Sequence, residues 1–270
     1  MQSDDFSAQG ISALLSRWQQ HRQIFTPRFP TGASNSLADI AGIRVGHSTL
    51  ASGAIQTGVT AIVPPGEDLY NHPLPCGAAV LNGFAKPIGL IQLMELGELQ
   101  SPILLSNTFA VGTLFNAMVR QSCVDFPQIG RGGATINPLV LECNDAYLND
   151  IQAMAVSEQH ALTALATATP TFARGSVGAG RGMSCFGLKG GIGSASRRHA
   201  ELDLQLGVLV LANFGVLSQL TLDGVGIGAE IADVLPELAP QVDAGSIIII
   251  MACDGYLDSR QLTRIARRAG

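Results

Sequence analysis

Apolar positions in this chain come in short blocks, separated by glycine-rich stretches, and no single period runs through the sequence. From Asn35 onward the blocks at 58–63, 78–81, 88–93 and 103–106 follow one another, each short enough for a buried strand. Val111, Leu114, Phe115, Met118 and Val119 fall at i, i+3, i+4, i+7 and i+8, which is one face of a helix. Residues 151–166 have helical composition, with Asn149 or Asp150 as the expected N-cap. A continuous apolar strand is expected at 208–212. Another is expected at 247–252, where four consecutive isoleucines favour the pleat over a helix. Residues 257–268 read as a closing helix, with Asp258 or Ser259 as cap and arginines near its C-terminus, where the macrodipole favours them. A short amphipathic helix at 11–22 precedes Pro27 and Pro30, which mark a linker. Strands and helices are mixed throughout, so the fold class is α/β or α+β in layers. The expected organisation is an N-terminal extension over 1–34 and one domain over 35–270.

Composition narrows the function classes. The chain has 270 residues, 47% of them hydrophobic and only 14% charged, which is enough to bury a large core. A net charge of −5 gives no electrostatic footprint for nucleic acid. The first ten residues carry two acids where a signal peptide carries positive charge, and no apolar run approaches a membrane span. The expectation is a cytoplasmic protein with neither nucleic acid nor membrane as partner. Five cysteines without a CxxC pair indicate neither a disulfide framework nor a zinc ribbon.

Candidate chemistry concentrates in a few places. Residues 175–197 contain eight glycines, but the GxGxxG spacing fails where Met183 takes the third glycine's position, and no GK[ST] follows. A tight crossing of backbones is the plainer reading of that segment. His47 stands beside Ser48 without a GxSxG elbow, and the other histidines are scattered without ligand spacing. Glu142, Asp145 and Asp150 lack a histidine pattern for a metal. No metal or other cofactor is expected. Ser246 is the unusual residue: a hydroxyl at the mouth of a buried strand, directly after Gly245. It is either an ordinary strand start or a nucleophile that needs no separate base. Cleavage of the Gly245–Ser246 bond would give Ser246 a free α-amine, with a pKa near 7.7–8.0, able to take the proton from its own hydroxyl.

Six ordered motifs add to this reading: "NSLADIAGIRVGHSTL" (35–50), "TGVTAIVPPG" (57–66), "ECNDAYLND" (142–150), "GSVGAGRGMSCFGLKGGIG" (175–193), "LANFG" (211–215) and "GSIIIIMACDG" (245–255). Together they resemble the DmpA-like serine aminopeptidases of peptidase family S58, which include β-peptidyl aminopeptidases. The resemblance implies a layered αββα fold of the N-terminal-nucleophile type. It also implies self-cleavage between Gly245 and Ser246, and a homo-oligomer of processed heterodimers. It casts Ser246 as nucleophile, Asn213 as oxyanion donor and Glu142 as the acid near the substrate amine. Asn144 falls where some relatives carry an aromatic residue that shapes the pocket. The implied substrate is a small peptide or an amino-acid amide or ester with a free amino terminus. Two alternatives keep the fold: an amidase acting on pantetheine-like or nylon-oligomer amides, and a truncated, inactive paralogue. The family domain continues well past the position of Gly270, with a serine and a glutamate that orient the nucleophile's amine.

Overall fold

The computed structural model describes residues 12–13, 16–20, 28–234 and 245–270. Its first sheet runs in the order β1 (Arg44–Ser52), β2 (Ile55–Val63), β3 (Ile103–Asn107) and β4 (Leu139–Cys143). The pairings β1–β2 and β2–β3 are antiparallel, and β3–β4 is parallel. Parallel neighbours need a crossover. The segment between β3 and β4 includes the helix with the apolar stripe seen in the sequence, Val111–Asp125. The second sheet is antiparallel throughout, in the order β7 (Ser246–Cys253), β6 (Leu204–Asn213) and β5 (Gly191–His199).

Side-chain alternation in the strands explains the layering. On β6, Gly207, Leu209, Leu211 and Asn213 are buried, while Val208, Val210 and Ala212 between them are half-buried. The buried set meets Val45, Ile62, Leu105, Leu139 and Cys143 of the first sheet in one core between the two sheets. The opposite face of the first sheet, through Val59, Ala61, Leu104 and Val140, packs on Leu114, Met118, Ala161 and Ala164 in a second core. Helices are labelled α1 (Leu90–Leu96), α2 (Val111–Asp125), α3 (Glu158–Ala166), α4 (Ile227–Val234) and α5 (Ser259–Ala266). Thus α2 and α3 form a layer outside the first sheet, and the two sheets face each other.

Several expected elements differ in the structure. The block at 78–81 is not a strand but part of a loop, with Val80 and Leu81 exposed. In the block at 88–93, only Ile88 makes a bridge, to Val140. Gly89 then takes a left-handed φ of 85°, and helix α1 begins at Leu90. The stretch 151–166 is not one helix. A single 3-10 turn at Ile151–Ala153 ends at Met154, whose φ of 45° breaks it, and α3 starts only after Ser157. Asn149 caps nothing there and instead accepts from the Gln56 N–H. The closing helix is as expected: Asp258 accepts from Gln261 N–H at 2.7 Å, and the Gln261 side chain accepts from Asp258 N–H at 2.9 Å. Residues 12–13 and 16–20 are helical, and the rest of the expected 11–22 helix lies outside the described residues.

The stretch from Pro30 to Asp39 is tied to β5. Arg198 N–H donates to Pro30 O at 2.9 Å, and Gly32 N–H donates to Ser196 Oγ at 3.0 Å. Asp39 collects four donors: the hydroxyls of Ser34 and Ser196, both at 2.6 Å, and the N–H groups of Ser34 and Ser36 at 2.8 and 3.1 Å. Burial opposes its ionisation. The hydrogen bonds from Ser196, Ser34 and Ser36 outweigh that and hold its carboxyl at about 2.

Candidate active site

The register of β6 on β7 places Asn213 directly opposite Ser246. Leu209 pairs with Ile250 and Leu211 with Ile248 on the inward face, and the Asn213–Ser246 pair is the next step along it. Both side chains therefore enter the space between the sheets. Asn213 is buried, and its Nδ2 donates to Ser246 Oγ at 3.1 Å and to Asn144 O at 2.7 Å. Asn144 N–H donates to the same Ser246 Oγ at 3.3 Å. An amide N–H₂ and a backbone N–H thus converge on one hydroxyl. Fixed donors of this kind stabilise negative charge that develops beside them.

Asn144 owes its position to the turn that follows β4. The wholly buried Asp145 accepts from Leu148 N–H and Asn149 N–H at its carbonyl, and from Asn149 Nδ2 at Oδ1, 3.0 Å away. Burial pushes the Asp145 carboxyl up, against hydrogen bonds from Thr57 and Asn149. Cys143 lies beneath Ser246, fully buried, with its Sγ donating to Leu211 O at 3.9 Å. Burial pushes its thiol up to about 12, so it stays neutral and is no nucleophile. His47 is committed elsewhere: its Nδ1 bonds Thr60 Oγ1 and its Nε2 bonds Ala173 O, both at 3.0 Å.

Glu142 is held apart from this cluster. Strand alternation turns it away from the Cys143 side, where one carboxylate oxygen accepts from Lys86 N–H at 3.0 Å and the other from the Thr108 hydroxyl. Of the residues singled out in the sequence, Ser246, Asn213 and Asn144 are in direct contact, and Glu142 bonds none of the three. Gly245 sits against Phe214: a Cβ there would lie 2.6 Å from the Phe214 Cβ, so only glycine fits the backbone as it stands.

The sequence reading does not find the support behind Asn213. Its Oδ1 accepts from Ser184 N–H at 3.0 Å, so the glycine-rich segment reaches the site through a backbone group. That segment is a close crossing of backbones, as its glycines suggested. A Cβ on Gly190 would lie 2.5 Å from Ala212 O and 3.0 Å from the carbonyl carbon of Met183. The available signal was a lysine inside a run of glycines, Lys189, where a long cation is least expected.

Two facing sheets, with a serine opening an inward strand and an amide opposite it on the next strand, define the DmpA variant of the N-terminal-nucleophile hydrolase fold. The chain belongs to peptidase family S58, whose family model matches residues 35–270. It is 38% identical over 264 residues to a beta-peptidyl aminopeptidase, BapA, of Sphingosinicella microcystinivorans, covering 88% of this chain and 65% of that protein. It therefore spans a little less than two thirds of that relative's length. Among solved structures, the PH0078 protein of Pyrococcus horikoshii superposes with a TM-score of 0.84 at 42% identity, covering 91% of this chain and 70% of the other. A Burkholderia beta-aminopeptidase gives 0.82 at 37% identity, covering 91% and 69%. The L-aminopeptidase D-Ala-esterase/amidase of Ochrobactrum anthropi gives 0.79 at 30% identity, covering 90% and 69%.

Proposed function

We propose that the protein is an aminopeptidase whose nucleophile is Ser246, exposed as a new N-terminus by cleavage of the Gly245–Ser246 bond. The observation that carries this reading is the convergence of Asn213 Nδ2 and Asn144 N–H on Ser246 Oγ, at 3.1 and 3.3 Å. In the cut, Ser246 Oγ attacks the Gly245 carbonyl carbon and its proton passes to the departing Ser246 nitrogen, leaving an ester. Water then opens the ester, giving a Gly245 carboxylate and a free Ser246 amine and hydroxyl. That amine next acts as the base for the hydroxyl when a substrate carbonyl takes the place of Gly245. Acyl transfer to Ser246 Oγ expels the substrate's amine, and water hydrolyses the acyl-enzyme. Asn213 Nδ2 and Asn144 N–H stabilise the oxyanion in both steps.

The relatives' names, beta-peptidyl aminopeptidase, beta-aminopeptidase and L-aminopeptidase D-Ala-esterase/amidase, favour small peptides and amino-acid amides or esters with a free amine as substrates. The working form is an oligomer of processed heterodimers. The test is intact mass with N-terminal sequencing of the natural polypeptide, together with activity on amino-acid p-nitroanilides. Two fragments are expected, the second beginning at Ser246, while Ser246→Ala stays in one piece and hydrolyses nothing. An active enzyme found as a single uncut chain would overturn the proposal.

A further inference from the structure

Lys189 is a cation set among backbone carbonyls, close behind the site. Its Nζ donates to Gly180 O at 3.0 Å, Met183 O at 2.6 Å and Gly190 O at 2.9 Å, which uses all three of its protons. The shortest of these bonds is the informative one. Met183 C=O and Ser184 N–H are the two ends of one planar peptide unit. The carbonyl end takes the Lys189 ammonium and also Gly190 N–H at 2.9 Å, and the N–H end donates to Asn213 Oδ1 at 3.0 Å. An amide can be placed either way round in its plane, and only its partners decide which. The Ser184 N–H requires an oxygen at its end of the Asn213 side chain, so Nδ2 must face Ser246 Oγ and Asn144 O.

We infer that Lys189 is a positioning residue for the oxyanion donor, acting through the Met183–Ser184 peptide to hold Asn213 with its N–H₂ toward Ser246. A charge on the carbonyl end polarises the peptide and strengthens its N–H as a donor. The same bond fixes the plane against rotation in a segment where glycines leave the backbone few other restraints. The inference rests on the proposed role of Asn213 and extends it by one bonded step.

The charge on Lys189 is itself exposed to pH. Burial, and then the Arg181 guanidinium, bring its ammonium down to about 8. Arg181 is occupied with Gln56 and Ser176. Cys185, on the same short hairpin, is a thiol pushed up by burial and hence neutral, and Asp145 borders Gly182 across the turn. Deprotonation of Lys189 weakens its pull on Met183 O and so lowers turnover, against the rise that the Ser246 amine gives as it loses its own proton in the same range.

A double-mutant cycle tests this on the natural polypeptide, reading kcat and KM separately. Lys189→Met should lower kcat roughly tenfold with KM little changed, and this loss relative to the unaltered enzyme should shrink as the pH rises through about 8, where the lysine gives up its charge. Asn213→Ala alone should lower kcat by about 10²–10³, the range for loss of one oxyanion donor. The double variant should be no slower than Asn213→Ala, because the lysine acts only through the amide. If Lys189→Met does not fold, Lys189→Gln keeps a donor of similar reach and goes through the same cycle. A loss that persists in full on the Asn213→Ala background, or one that falls on KM, overturns the role of Lys189. An unchanged kcat in Asn213→Ala removes Asn213 from the site and takes this inference with it.

Discussion

At the scale of single residues, the site is a set of donors resting on one hydroxyl, and the legible part of it is the part that ends a strand. Ser246 opens an apolar run and Asn213 closes one, and a polar side chain at either place has to be explained. Ser184 was illegible and Lys189 showed only as a cation among glycines, because their contribution passes through backbone groups of a segment brought over from elsewhere in the chain. Asp145 was legible as an acid and not as a turn-former. Glu142 tests how far the resemblance can be carried. Its carboxylate is anchored by Lys86 N–H and Thr108 and bonds none of Ser246, Asn213 and Asn144. As the acid that receives a substrate amine, it would act through a charge-assisted hydrogen bond. Glu142→Gln should then lower kcat/KM for alanine p-nitroanilide about tenfold or more, while its N-acetyl analogue loses little. Equal losses on both, with a lowered Tm, would make Glu142 a strut for the Lys86 loop and nothing else.

At the scale of elements, strands with strong alternation or many β-branched residues were readable, and short apolar runs beside glycines were not. The run at 88–93 has the composition of a strand. What makes it a helix is Gly89 turning left-handed against Pro138, a contact that no local pattern announces. The stretch 151–166 was split by Met154, a non-glycine residue with positive φ, which is likewise invisible to periodicity. The N-terminal stretch beside β5 shows a different kind of dependence, since a single carboxylate gathers its donors. Asp39 has a folded value of about 2 against 3.8 when unperturbed. Its contribution is therefore complete above about 3.8 and is lost as the pH falls toward 2. The protection of the Ser34 and Ser36 amides from hydrogen exchange, taken against the intrinsic exchange rate at each pH, should fall over that window ahead of the strands. Asp39→Asn should show the lowered protection at pH 7 already, with no further loss of protection on acidification. Protection at Ser34 that ignores both pH and the substitution would mean that Asp39 is not what fastens this stretch.

At the scale of the whole molecule, the second sheet is the less covered of the two among the described residues. Ile247, Ile249 and Met251 share the outer face with Val208, Val210 and Ala212, and all are half-buried, on a sheet that has β7 as one edge. Apolar side chains beside an open edge invite association. Expressed as these 270 residues, the protein should self-associate on size exclusion. Ile249→Lys should raise its monodisperse fraction without touching the inward Asn213–Ser246 pair. No gain would mean that this face is not the sticky one. The pairing of Asn213 with Ser246 also bears on the timing of the proposed cut. Ser246 meets its donors across separations of 33 and 102 residues, so the scissile bond is activated only after both sheets have closed on each other. The proposed self-cleavage is then a clock started by the end of folding. A pulse of newly made chain would carry the elapsed time since completion in its ratio of cut to uncut molecules, and a folding-impaired variant would fall behind on that clock even where its finished molecules work at full speed.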